Sequence, residues 1–559
     1  MMKKIPSGVS DFEKLITQNY YYVDKTKYIE KLEDYSNPNI MFLRPRKFGK
    51  TLFTSMLEYY YDIKTKDKFE ELFGETYIGK NPTPLKNSYH ILKFNFSGID
   101  TSSVEATIEA FKIKVQVAIN SFVIKYGLDF YVNPELSAEA LLGSIFEAFR
   151  FQRSDDKIYV IIDEYDQFAN ELLGFDFEGF VDLITRNGKI RKWYEILKEG
   201  TERMVDRVFM TGVAPITLDS LTSGFNVATD ITRDFRFNEM MGFTNDELKK
   251  MIKDQEISDE EREKILPIMK ENYDGYLFTG EAKERIYNSN MTLFFLNEYL
   301  ARRDVPRKMV DVNIASDYEK IGEMINLCKG VKKFELLNTI ISGEGIATDI
   351  TEKFNPKMPF GDKEMLSMLY YLGYLTVLEN ELGSDKLVIP NLMMKTIYSE
   401  YILRVINDEL EFKESINYKM LEREIAYEGK IDKIIEILRI YMNNLLNRDF
   451  QGFRENNVKF MFYILAMNFQ SAFMIKTEPE IHRKYPDIIL LSKDTKYHSV
   501  MIEFKYLKRS EEKLLKQKQE EAKEQIKEYA EFEEIKKIPN LVKYTVVAIV
   551  DEIHVEKID

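Results

Sequence analysis

The sequence predicts an α/β protein of several domains, and three observations predict it. Between residues 39 and 213, apolar runs of strand length alternate with helical segments. That alternation implies a parallel sheet with crossover helices, whose ligands lie at the carboxyl ends of the strands. From about residue 242 the pattern is helical, interrupted by a helix followed by two short strands, the outline of a winged helix. Near the C-terminus two more strands, a charged helix and a last strand describe a second α/β unit. At 559 residues the chain exceeds one ordinary core. The expected division is residues 1–240, 241–415 and 416–559.

Residues 20–26 read as a short strand and turn leading into a helix near residues 27–32. Asn39-Ile40-Met41-Phe42-Leu43 reads as a buried strand and residues 52–61 as a helix. Gly49-Lys50-Thr51 therefore falls where strand turns into helix N-terminus, a place that suits phosphate. Gly49 lets the backbone come close, Lys50 reaches the β- and γ-phosphates, and the Thr51 hydroxyl suits Mg²⁺. In the general loop G-x-x-x-x-G-K-[ST] the first glycine falls here at Arg44, and Pro45 has no N–H to donate, so an incomplete cradle is expected. Taken alone, Gly-Lys-Thr fits an ordinary basic turn as well.

Residues 157–164 shift the balance, because Lys157-Ile158-Tyr159-Val160-Ile161-Ile162-Asp163-Glu164 is an apolar strand ending in two carboxylates. A Mg²⁺-holding Asp followed by a water-activating Glu has this form. Residues 89–96 alternate as a strand and residues 104–126 form a long helix. Residues 207–213 end a further strand on Thr211 and Gly212, where Thr211 suits a γ-phosphate sensor and a strand-end turn suits it equally. Arg233 and Arg236 could each contact phosphate, with a surface ion pair the favoured role of each. In the middle, Thr244-Asn245-Asp246-Glu247 has the form of a helix start. Residues 363–372 read as a helix, 374–378 and 386–390 as strands, and 379–385 as a polar tip; further helices are expected around 401–406 and 431–447.

Residues 486–491 and 498–505 predict two strands joined by a turn. Alternation sets Glu503 and Lys505 on one face with Met501, and Val500, Ile502 and Phe504 in the core. With Asp487 at the start of the partner strand, two carboxylates can hold Mg²⁺ and an attacking water, and Lys505 can stabilise charge developing on phosphorus. A helix over residues 455–469 brings Glu455 toward the same sheet edge, a charged helix over 511–532 follows, and residues 544–550 make a final strand.

Composition sets limits. A single cysteine rules out an internal disulfide framework, and four scattered histidines do not make a zinc site. Any metal is expected on oxygen ligands. A net charge of -14 and a pI near 5.2 argue against a chain that coats nucleic acid nonspecifically, while a local basic groove stays compatible with them. No apolar run spans a bilayer and Met1-Met2-Lys3-Lys4-Ile5-Pro6 lacks the core of a signal peptide, so a cytoplasmic chain with no membrane partner is expected.

Nearly end to end, the chain resembles bacterial proteins that join a predicted AAA-ATPase-like domain to a C-terminal PD-(D/E)XK nuclease-superfamily domain. The resemblance rests on Val23-Asp24-Lys25-Thr26, Arg44-Pro45-Arg46-Lys47-Phe48-Gly49-Lys50-Thr51, Ile162-Asp163-Glu164-Tyr165-Asp166, Thr211-Gly212-Val213, Tyr273-Asp274-Gly275-Tyr276 and the Pro486-Asp487 and Glu503-Phe504-Lys505 pair. It implies a P-loop NTPase-type sheet, a helical and winged-helix-like middle, and a restriction-endonuclease-like C-terminal domain. It implies ATP binding through Arg46, Lys47, Gly49, Lys50, Thr51, Asp163 and Thr211, with Glu164 catalytic and Thr51 and Asp163 holding Mg²⁺. On the nuclease side it implies Asp487 and Glu503 as ligands of Mg²⁺ or Mn²⁺, Lys505 as a catalytic amine, and Glu455, Glu480 and Gln525 in support. The expected function is an ATP-binding, ATP-hydrolysing protein whose nucleotide state gates cleavage of nucleic acid, DNA ahead of RNA, with self-assembly open, in a setting of defence or mobile elements. The alternative is a non-catalytic nucleotide switch or binding module with an inactive nuclease-like scaffold.

Overall fold

The structure is a computed structural model, and it describes residues 3–169, 188–215, 227–306, 309, 339–340, 345–354, 361–381, 383–409, 416–446, 455–477, 486–550 and 552–559. The chain divides into two compact units, Met1–Lys332 with Gly343–Met393 and Lys333–Ser342 with Met394–Asp559.

The first unit is built on a parallel sheet of five strands, β1 (Asn39–Leu43), β2 (His90–Asn95), β3 (Ile158–Asp163), β4 (Val205–Gly212) and β5 (Thr229–Asp230). Their order is β2-β3-β4-β1-β5. Every residue of β1 and β3 is buried, as strands covered on both faces require. Helices α1 (Lys50–Tyr61), α2 (Val104–Tyr126), α3 (Ala138–Gln152) and α4 (Lys189–Thr201) fall between these strands in sequence. α2 starts on the Ser103 side chain, ends on left-handed Gly127, and buries Phe111, Val115, Ile119 and Phe122 at helical spacing. Trp193 of α4 meets Phe94, Phe96 and Phe111 edge-on, which fixes the sheet against its helices.

The expected strand at residues 20–26 is replaced by one bridge between Tyr20 and Lys4. Asp24 draws the chain into a turn instead, accepting from the Thr26 amide and hydroxyl and the Tyr77 amide.

Helices α5 (Asn245–Asp254), α6 (Asp259–Tyr273) and α7 (Ser289–Arg302) follow. α5 opens with a capping box between Thr244 and Glu247, the start its sequence predicts. Beyond them comes a three-stranded sheet of β6 (Ile346–Thr348), β7 (Thr376–Glu381) and β8 (Ser384–Val388), ordered β6-β8-β7, with α8 (Asp362–Tyr371) between β6 and β7 in sequence. The expected polar tip over 379–385 is mostly strand, because Asn380 pairs with Asp385 and Glu381 with Ser384. Polar side chains do not stop a solvated hairpin from continuing its ladder.

α9 (Leu392–Glu409) spans the division, and α10 (Tyr418–Glu428), α11 (Asp432–Leu446) and α12 (Glu455–Ala466) lead into the second sheet. That sheet holds β9 (Phe473–Thr477), β10 (Ile488–Ser492), β11 (Ser499–Leu507), β12 (Leu541–Ile549) and β13 (Glu552–Ile558), ordered β13-β12-β11-β10-β9. β11 is central, antiparallel to β10 and parallel to β12. Helix α13 (Leu515–Ala530) contributes Ile526 and Tyr529 to a core with Met501. The face carrying Met501, Glu503 and Lys505 is therefore buried like the opposite one, a correction to the one-sided core expected from alternation. No helix among the described residues is long and apolar enough to cross a membrane.

Candidate functional site

The loop between β1 and α1 turns through two left-handed residues, Lys47 (φ 68°) and Gly49 (φ 97°). A Cβ on Gly49 would touch nothing within 4 Å, so backbone conformation is what favours glycine there. Lys50 Nζ lies 3.1 Å from the Arg44 carbonyl, 3.2 Å from the Pro45 carbonyl and 3.9 Å from Glu164 Oε1. A cavity of about 630 Å³ opens over the loop, lined by Arg46 through Phe53, by Asn95 and Ser97 after β2, and by Glu164 and Gln167 after β3. Val9, Tyr21, Tyr22, Met240, Phe243 and Leu293 also line it.

Asp163 is fully buried, and neither carboxylate oxygen has a hydrogen-bond partner. Burial and the neighbouring Glu164 push its pKa above the ordinary value, with the nearby Thr51 and Lys50 side chains pulling the other way. Glu164, held at φ 54°, also keeps a buried oxygen, Oε2, without a partner. Buried carboxylates that keep such oxygens, beside the Thr51 hydroxyl and the Lys50 ammonium, suit a divalent ion, which takes oxygen ligands, so the residues present fit Mg²⁺ beside a nucleotide.

Arg44 explains the missing first glycine. Its guanidinium lies 4.1 Å from the Phe42 ring centre and 4.0 Å from that of Phe278. Nη1 donates to the Leu43 and Thr232 carbonyls at 2.9 and 2.8 Å, and Nη2 to those of Phe237 and Asn238 at 3.2 and 3.4 Å. Burial pulls its pKa down to about 9. Phe48 packs edge-on against Tyr276 and Phe278, with ring centres 5.0 and 5.6 Å away. The Tyr273-Asp274-Gly275-Tyr276 turn, to which the sequence assigns no chemistry, thus braces the phosphate loop.

In the second unit, Asp487 precedes β10 and Glu503 and Lys505 lie on β11. Asp487 Oδ2 accepts from the Phe504 amide at 2.6 Å, while its Oδ1 lies 2.5 Å from Lys459 Nζ of α12. Lys505 Nζ donates to Glu503 Oε1 at 2.9 Å, and Glu503 Oε2 is buried with no hydrogen-bond partner. Burial, reinforced by the Asp487 charge, pushes the Glu503 carboxyl up to about 7. Asp487 is raised by burial, against the pull of Lys459. Gln525 Oε1, on α13, is a further buried oxygen without a partner. Tyr529, one turn on, has its hydroxyl pushed up to about 12 by burial and by Glu503 and Asp487. Among the described residues no group of three or more His, Cys, Asp or Glu forms a ready metal cluster. The oxygens of Asp487 and Glu503, whose charges act on each other, still form a donor set that fits one hard divalent ion.

Residues 6–222 match the family described as predicted AAA-ATPase, and residues 453–557 match the PD-(D/E)XK nuclease superfamily. The chain joins a predicted AAA-ATPase domain to a PD-(D/E)XK nuclease superfamily domain. It is 23% identical over 431 residues to an uncharacterized protein in the vnfD 5'region of Azotobacter chroococcum mcd 1, covering 72% of this chain and 70% of that protein. The Aeropyrum pernix ORC2 protein, solved as ADPNP and ADP complexes, is similar at 10% identity and a TM-score of 0.32 over 68% of this chain and 92% of its own. A superposition so loose carries no argument.

In the ATPase domain, Arg46, Lys47, Gly49, Lys50, Thr51 and Glu164 meet at one cavity. Thr211 stands apart from that wall: its buried hydroxyl donates to the Phe42 carbonyl at 2.7 Å, between β4 and β1. Arg236 pairs with Asp234 at the surface, as expected, whereas Arg233 pairs at 2.5 Å with Asp385, whose side chain is buried, so that pair is not a surface one. In the nuclease domain, Asp487, Glu503 and Lys505 come together; the Glu455 side chain and Glu480 lie outside the described residues. Sequence reasoning missed Lys459 and Tyr529. The available signal was helical spacing, since each follows a candidate residue, Glu455 and Gln525, by four positions.

Proposed function

We propose that the protein binds and hydrolyses ATP and cleaves nucleic-acid phosphodiesters in a divalent-metal-dependent way, the nucleotide state gating the cleavage. The observation that carries this reading is the meeting of Asp487, Glu503 and Lys505 on neighbouring strands of the nuclease domain. In the ATPase domain, Lys50 would bind the β- and γ-phosphates, Thr51 and Asp163 would hold Mg²⁺, and Glu164 would orient an attacking water. The aromatic side chains that line the cavity, Tyr21, Tyr22 and Phe243, suit the flat face of a base.

In the nuclease domain, Asp487 and Glu503 hold Mg²⁺ or Mn²⁺, which supplies a water of lowered pKa and a counter-charge for the phosphate. Lys505 offers its ammonium to the charge that develops on the phosphoryl oxygens. Purified protein is incubated with single- and double-stranded DNA and RNA, with Mg²⁺ or Mn²⁺, with and without ATP. Asp487→Asn and Lys505→Ala should each lower cleavage at least 100-fold while ATP binding stays unchanged; cleavage surviving both changes would end the nuclease reading.

A second reading, a nucleotide switch with an inactive nuclease scaffold, is favoured by burial of the same groups. Asp487, Glu503 and Lys505 are 5%, 2% and 8% exposed, and each carboxylate already has an ammonium beside it. Under that reading the same incubation leaves every nucleic acid intact, and ATP alters only binding.

A further inference from the structure

Two carboxylates and two ammonium groups make up the centre of the nuclease domain, and their formal charges cancel: Asp487 with Lys459 and Glu503 with Lys505. The two pairs are not equivalent. Lys505 takes one oxygen of Glu503 and leaves Oε2 without a hydrogen-bond partner. Both oxygens of Asp487 are engaged, Oδ2 by the Phe504 amide and Oδ1 by Lys459. The amide belongs to the sheet and stays in place. The ammonium sits on a flexible four-carbon stem from α12, and among the described residues it is the partner of Asp487 that can leave.

We propose that Lys459 is a built-in competitor of the divalent ion, holding the Asp487 oxygen that the ion needs. This rests on the reading of Asp487 and Glu503 as metal ligands. Lys459 and Asp487 side chains are 17% and 6% exposed, so solvent and salt screen their attraction only weakly. An ion that takes Asp487 Oδ1 as a ligand must therefore displace the ammonium. A backbone phosphate is an anion able to receive it, so bound nucleic acid and bound metal favour one another, each strengthening the other by the same factor. Lys459 is a positioning residue here, acting on the reaction through Asp487.

The test is direct Mn²⁺ binding to the full chain without nucleotide, followed by calorimetry and by the spin resonance of free Mn²⁺, with Asp487→Asn identifying this site. Lys459→Met and Lys459→Gln remove the charge, and both should bind Mn²⁺ at least 10-fold more tightly than the unaltered protein. Lys459→Arg keeps the charge and should stay as weak as the unaltered protein, which a merely structural role would not require. Thermal melts identify any variant that fails to fold, and either neutral variant alone decides the outcome. Equal Mn²⁺ affinity in the neutral variants, lost in Asp487→Asn, overturns the competitor role and leaves the metal site standing. No Mn²⁺ binding that depends on Asp487 in any variant overturns both.

Discussion

Arg44 is a buried cation with main-chain oxygens for company. Its planar fork reaches four carbonyls and stacks near two aromatic rings, an arrangement that an ammonium cannot reproduce. Arg44→Met should destabilise the ATPase domain by roughly 3 kcal/mol, since it strands buried carbonyls, and Arg44→Lys should cost nearly as much. Chemical denaturation reads both. Glu503 gives the nuclease domain a pH signature. Its carboxyl is raised from 4.5 to about 7, so between those values the folded state binds more protons than the unfolded one. Stability of the metal-free domain is therefore greatest at the acid end of that window, falls as pH rises through it, and levels off above about 7. Asp487, raised in the same direction, adds to the slope from lower pH. Glu503→Gln should flatten the midpoint of thermal unfolding against pH across this range; a slope unchanged in that variant would place its origin elsewhere.

Elements matter here through what they press against. The phosphate loop is held by the aromatic turn after α6 and by the turn between α8 and β7, where Gly373 sits at φ 83°. A Cβ at that glycine would stand 2.7 Å from Pro45 Cβ. Gly373→Ala should destabilise the domain by roughly 1–3 kcal/mol and weaken ATP binding, although residue 373 lines no part of the cavity. Nucleotide titration of the folded variant checks it; unaltered ATP affinity would show that the loop does not depend on this support. Central position also decides chemistry at β11. A strand with neighbours on both edges and α13 over one face buries Glu503 and Lys505, and burial sets the protonation of the carboxylate.

At the scale of the whole molecule, two domains stand on one chain, each with its own sheet. If nucleotide state gates cleavage, a change confined to the phosphate loop must reach nuclease activity without touching its residues. Lys50→Ala should abolish ATP binding and leave a cleavage rate that no longer responds to ATP, whereas the unaltered protein should change several-fold on adding ATP. Cleavage in the unaltered protein that is indifferent to ATP would separate the two domains functionally.

By itself, the sequence determined the elements and most of the ligand candidates. β1 and α2 fall on the residues that their apolar periodicity marks, because local pattern and caps act over a few residues. The phosphate loop and the Pro-Asp and Glu-x-Lys pair were legible because their chemistry fixes spacing along the chain. Tertiary structure decided the rest, for reasons that act between distant residues. Arg44 became a fastening only when Thr232, Phe237 and Phe278 closed around it, and Thr211 turned to the Phe42 carbonyl once β4 lay beside β1. Lys459 met Asp487 from 28 positions away, a contact that only the packing of α12 on the second sheet creates.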